Sequence, residues 1–315
     1  MEQQYDYSQI KPQPKPQDSP RRRVWRSWTP LLVKLGITYL VSCLFSAAFI
    51  SEYLIREFGE DMEAMSVFIA DAENKWIITE YAVERAMDFV VHAEALAALI
   101  TIPILLFMFR RDKIRRKIAG VMQQKKKVAA VHYIWIILAS ATLCIALNNL
   151  IFISDLASYS ESYQQTMESL YNAPIALQLL TLGILVPVCE ELVFRGLMFN
   201  RVKEYGGYKS AMFFTTFVFA VLHMNFVQMI YAAIMGLLFA FLYEKYGSFK
   251  APALAHISAN VVSVLATHFK IFDWLMQDFL RIAALTVICA AAAATAYVLI
   301  QRIEDVYEEN EPVAE

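Results

Sequence analysis

The chain has 315 residues, of which 58% are hydrophobic and 18% charged, and its formal net charge is -2. An ordinary soluble domain is nearer half apolar and a quarter charged, so this balance excludes that class, and the charge gives no support to a nucleic-acid partner. The apolar residues gather in runs of about twenty, the length that carries a helix through roughly 30 Å of hydrocarbon at about 1.5 Å per residue.

Residues 1–27 are polar, rich in proline and glutamine, and close on Arg21, Arg22, Arg23 and Arg26. They read as a disordered basic tail, and the apolar run that follows is too long for a cleaved signal peptide. The expected spans are 30–50, 88–109, 129–153, 174–199, 210–225, 227–243, 251–269 and 278–300. The fold class is therefore an all-α polytopic membrane protein of about eight transmembrane helices. Residues 28–173 hold the first three spans, and within them 51–87 carries Glu52, Glu57, Glu60, Asp61 and Glu63 and predicts one or two helices outside the membrane or along its surface. Residues 174–270 form the motif-bearing core, 271–303 the last span, and 304–315 an acidic, solvated tail.

Basic residues in short loops stay on the cytoplasmic side. Arg110, Arg111, Lys113, Arg115, Arg116, Lys117, Lys125, Lys126 and Lys127 stand against one acid, Asp112, after the second span, while 154–173 is acidic. This predicts a multi-pass protein of a bacterial plasma membrane with both termini cytoplasmic. Cys43, Cys144, Cys189 and Cys289 lie inside apolar runs without metal or redox spacing and read as small packing residues.

Three polar islands interrupt the core. The first is Val188-Cys189-Glu190-Glu191-Leu192-Val193-Phe194-Arg195-Gly196. Each ionisable group near a span's centre costs about 2.5–3.5 kcal/mol, so three of them imply a polar cavity. Glu191 and Arg195, four apart, can pair along one face, which leaves Glu190, turned by about 100°, free to hold water or a proton. The second island is Phe219-Ala220-Val221-Leu222-His223, and the third is His256-Ile257-Ser258-Ala259-Asn260, whose histidine and asparagine share a helical face. Glu190, His223, His256 and Asn260 come from three spans and can converge on one buried point. Span five is expected to end within the membrane at Met224-Asn225-Phe226, because otherwise His223 and Glu190 sit at different depths.

The ordered pattern Glu-Glu-x-x-x-Arg, Phe-x-x-x-His and His-x-x-x-Asn resembles the CAAX-protease and bacteriocin-processing family, which includes the type II CAAX prenyl endopeptidases. The resemblance covers residues 174–270. It implies an intramembrane endopeptidase in which Glu190 is the general base that activates water, assisted by His223, while His256 and Asn260 stabilise the oxyanion. Glu191 and Arg195 would fix helix geometry, and Phe219 would pack beside the site. The partners implied are the lipid bilayer and a peptide or protein substrate within it. A non-catalytic peptide-binding or immunity protein is the alternative, and a transporter stands third for want of internal repeats.

Two histidines and a glutamate are an acceptable zinc set, but Asn260 is a poor ligand and no His-Glu-x-x-His is present. No cofactor is favoured; zinc on His223 and His256 is the alternative. His92 with Glu94, His132 and His268 read as interfacial, Asn148 and Asn149 as interhelical hydrogen-bonding residues, and Pro187 as a device that loosens backbone beside Glu190.

Overall fold

The structure, a computed structural model, describes residues 18–118 and 128–304. All regular structure among them is helical. Helix α1 spans Pro20–Phe58, α2 Met62–Ala70, α3 Ala72–Asp88 and α4 Val90–Ile118. Then come α5 at Tyr133–Ile153 and α6 at Glu161–Tyr171. Next, α7 (Ile175–Leu180), α8 (Val186–Glu191) and α9 (Asn200–Val221) follow one another through the π-helical turns Thr181–Leu185 and Leu192–Phe199. Last are α10 at Phe226–Tyr246, α11 at Lys250–His268, α12 at Ile271–Met276 and α13 at Phe279–Gln301.

Local chemistry sets the ends. Ser19 accepts from the Arg22 amide ahead of Pro20, so helix begins inside the stretch expected to be disordered; the rest of that tail, residues 1–17, lies outside the described residues. Lys125, Lys126, Lys127 and residues 305–315 also lie outside them. Asp61, Asp71, Ser160, Asn225 and Asp278 cap α2, α3, α6, α10 and α13 by accepting backbone N–H bonds. Residues 51–87 thus become the end of α1 followed by α2 and most of α3.

Six helical stretches among the described residues are long and apolar enough to cross a membrane: Pro20–Phe58, Val90–Ile118, Ala130–Ile153, Ile175–Val221, Phe226–Tyr246 and Phe279–Gln301. The expected count of eight is not confirmed, and the difference lies at two places. The expected spans 174–199 and 210–225 fall within one continuous stretch of 47 residues, whose two helical parts join at a kink at Gly207, where φ of 76° and ψ of 179° break the helix. Helix α11 has the length, but His256, Ser258, Asn260 and Ser263 dilute its apolar character.

Helix α5 packs against α13 and α11, α10 against α9, and α1 against α4 and α3. One apolar core surrounds Leu192–Phe199 with Leu31, Ala98 and Leu105, and a second joins α5, α10, α11 and α13 through Ile136, Phe239, Ala255 and Ala296. At one end, charged residues from distant segments meet. Arg201 pairs with Asp112 at 2.6 Å, Arg26 and Arg115 reach Glu204 at 2.9 and 2.6 Å, and Lys203 binds Glu244 at 2.6 Å.

Candidate active site

Pro187 shapes the first wall of the site. It has no N–H, and the Val186 amide bonds to the Thr181 carbonyl in a π-helical turn. The Leu182 carbonyl therefore loses both helical donors, and Asn260 Nδ2 of α11 supplies one at 2.8 Å. Gly183 permits this approach, since a Cβ there would stand 3.1 Å from Val261 Cγ2. One of the two amide protons of Asn260 is thus committed to structure, which the sequence did not reveal; the other is uncommitted.

Glu191 and Arg195 pair as expected, at 2.8 Å between Oε1 and Nη1, and both side chains are 0% exposed. Arg195 Nη2 also donates to the Gly236 carbonyl of α10 at 2.9 Å. The guanidinium carbon lies 4.8 Å from the Phe219 ring centre and 5.3 Å from that of Phe239. Gly236 is required here, because a Cβ would meet Thr216, Arg195 and Phe219 at 3.1–3.2 Å.

His256 bridges the two acids. A carboxylate only accepts, so Nδ1–H donates to Glu191 Oε1 at 3.0 Å, and Nε2 faces Glu190 Oε2 at 3.9 Å. The imidazole stacks on Phe239 at 4.7 Å and meets the edge of Phe219 at 5.8 Å. His223 sits in the turn after α9, where its Nδ1–H donates to the Phe219 carbonyl at 2.9 Å and its ring packs 4.9 Å from that of Phe219. Its Nε2 therefore keeps a lone pair in the neutral form. Phe219 touches both histidines and the arginine at once.

The kink at Gly207 reconciles the depths. Only the fourteen residues 208–221 run from it to the end of α9, about 21 Å of helix against roughly 30 Å of hydrocarbon. His223 consequently ends a short span, and the chain turns through Met224, at φ 62°, into α10. Glu190 feels the charges of Lys34, His256, His223 and Arg195.

Glu190 is not free, contrary to the sequence expectation. Its Oε1 lies 3.6 Å from Nζ of Lys34 on α1. Glu94 of α4, read from sequence as interfacial, lies within electrostatic reach of both. Neither residue belongs to a motif, and the one available signal is that each is a lone charge inside an apolar span. Asn148 and Asn149 also differ from expectation. Asn148 bonds within its own helix to the Cys144 carbonyl, and Asn149 is buried without a partner among the described residues. The interhelical contact comes instead from Cys144, whose Sγ reaches the Ala259 carbonyl at 3.3 Å. Cys144, Cys189 and Cys289 are buried, whereas Cys43 is exposed.

Among the described residues no group of three or more His, Cys, Asp or Glu side chains is placed to hold an ion, although Nε2 of His256 is not engaged by the Nδ1–Glu191 bond.

Comparison with known proteins finds similarity over the segment that carries these residues. The family described as type II CAAX prenyl endopeptidase Rce1-like matches residues 172–262. A Bacillus subtilis (strain 168) protein, "Putative membrane peptidase YdiL", is 25% identical over 119 residues, covering 38% of this chain and 48% of the relative. A Lactococcus lactis subsp. lactis (strain IL1403) protein, "UPF0177 protein YxdF", is 30% identical over 107 residues, covering 32% of this chain and 59% of the relative. The chain thus spans about half the length of the curated relatives it matches. No solved structure matches.

Proposed function

We propose, from the match of residues 172–262 to the family described as type II CAAX prenyl endopeptidase Rce1-like, that this chain is an intramembrane endopeptidase that hydrolyses a peptide bond of a membrane-associated substrate without a covalent intermediate. The observation that supports it most is the meeting of Glu190, His223 and His256 from α8, the end of α9 and α11 around the Glu191–Arg195 pair.

Glu190 takes a proton from the attacking water, with the free Nε2 of His223 as second acceptor. General-base catalysis of this kind contributes about 10²–10⁴ in rate. As the tetrahedral intermediate forms, charge gathers on the former carbonyl oxygen, and the uncommitted amide proton of Asn260 can answer it. An oxyanion role for His256 Nε2 calls on the imidazolium, since Nδ1 already spends its proton on Glu191. The protonated Glu190 then returns its proton to the leaving amine. Glu191 and Arg195 hold the segment that carries Glu190, and Phe219 sets the angle of both rings. No metal takes part in this scheme. Basic residues after α4 and at the start of α1 support cytoplasmic termini, and the bacterial source of the two curated relatives supports a bacterial plasma membrane.

The test is terminal-peptide mapping of membranes from cells carrying the wild-type chain or Glu190→Gln. New protein termini that depend on Glu190 support the proposal. Identical termini in the two membranes overturn it.

A further inference from the structure

The Glu190 carboxylate is held from two sides. Oε2 faces His256, and Oε1 faces Lys34, which arrives from a helix outside residues 172–262. Along α1 the buried residues Ser27, Pro30, Leu31 and Val41 form a stripe of helical period, and Lys34 falls on it one turn beyond Leu31. The register of that stripe is fixed nearby: Arg26 pairs with Glu204, Arg201 donates to the Arg26 carbonyl, and Ser27 Oγ lies 3.4 Å from Tyr205 Oη. The lysine side chain is 18% exposed. An ammonium so enclosed is costly unless an acid answers it, and two do, Glu190 and Glu94.

We propose that Lys34 is a positioning residue of the site: it keeps Glu190 in its carboxylate form and aims Oε2 at His256. This rests on the reading of Glu190 as the base. Burial favours a neutral carboxyl, which cannot take a proton from water, whereas a cation at 3.6 Å favours the anion. The other groups around Glu190 are Glu94 from α4, Cys189 and Arg195 on its own segment, His223 at the end of α9 and His256 on α11. Arg195 is engaged by Glu191 at 2.8 Å, whereas among the described residues Lys34 is the lysine or arginine that pairs with Glu190, at 3.6 Å.

Infrared difference spectroscopy of the purified full chain in lipid at neutral pH reads the state of Glu190 without a substrate. Lys34→Met is expected to develop a protonated-carboxyl band that is absent in Lys34→Arg and disappears in Lys34→Met/Glu190→Gln. If Lys34→Met does not fold, Lys34→Gln keeps a polar side chain there and is read the same way. At cleavage sites lost in Glu190→Gln, the neutral variant should lose tenfold or more in kcat, about what one pH unit of a base's titration is worth, with recovery in Lys34→Arg. Its acid limb should also move to higher pH. A folded neutral variant with the wild-type carboxylate spectrum overturns the role of Lys34 alone. Wild-type cleavage by Glu190→Gln overturns the base reading alone.

Discussion

The stretch Ile175–Val221 and the first helix are both apolar enough to cross a membrane, yet they use their apolar residues differently. Half of the apolar window in Ile175–Val221, 50%, is buried inside the protein, against 11% in α1 and 28% in α4. Where this stretch meets other helices, its polar groups must satisfy one another or theirs: Glu191 with Arg195 and His256, Arg195 with Gly236, Asn260 with Leu182. Helix α1 turns Tyr39, Leu40 and Leu44 outward, where acyl chains are the natural solvent, and offers the core one narrow stripe. The comparison teaches that spanning length says little about how much a helix contributes to chemistry. What counts is which of its faces touches protein.

Five substitutions test that contrast. The largest effect should come from Glu190→Gln, which keeps shape and removes the base: cleavage should fall by about 10²–10⁴ while folded yield in membranes stays near wild type. Unchanged cleavage would break the division between a catalytic core and a peripheral N-terminal half. Next, Arg195→Ala strands the fully buried Glu191 beside His256, and removing one partner of a buried pair costs about 3–5 kcal/mol. Thermal unfolding in detergent should show this loss, and Glu191→Gln in the same chain should recover part of it. A variant that is stable but slow would instead assign Arg195 to the chemistry.

Asn260→Ala should lower the rate by about 10²–10³ if its second amide proton serves the oxyanion. It also strands the Leu182 carbonyl, so unfolding temperature must be read beside rate; a loss of stability with no change in rate per folded molecule would leave only the structural bond. In the same preparation, elemental analysis should find no stoichiometric zinc. About one zinc per chain, lost with activity in His256→Ala, would overturn the metal-free scheme. The smallest effect belongs to the periphery. Trp76 of α3 is 70% exposed, and Trp76→Ser should change stability by no more than about 0.5 kcal/mol in detergent. The similarly modest Gly236→Ala in the core adds a single methyl, yet should cost about 1–3 kcal/mol because three side chains crowd the position.

Composition and run length by themselves determined the membrane class and the helical fold, because a chain in hydrocarbon must satisfy its backbone internally. The Glu191–Arg195 pair was equally legible, since a spacing of four on one helix is local geometry. The convergence of Glu190, His223 and His256 could be inferred from three motifs, but their pairing could not. Sequence distance says nothing about which carboxylate oxygen a ring nitrogen meets. Only the tertiary structure decided that His256 donates to Glu191 rather than to Glu190, that Asn260 answers a carbonyl released by Pro187, and that Gly207 shortens the span ending at His223. It also placed Lys34 against Glu190, 156 positions away in the chain. A lone lysine in an apolar run carries no periodicity that names its partner; its charge is matched only when helix packing brings an acid within reach.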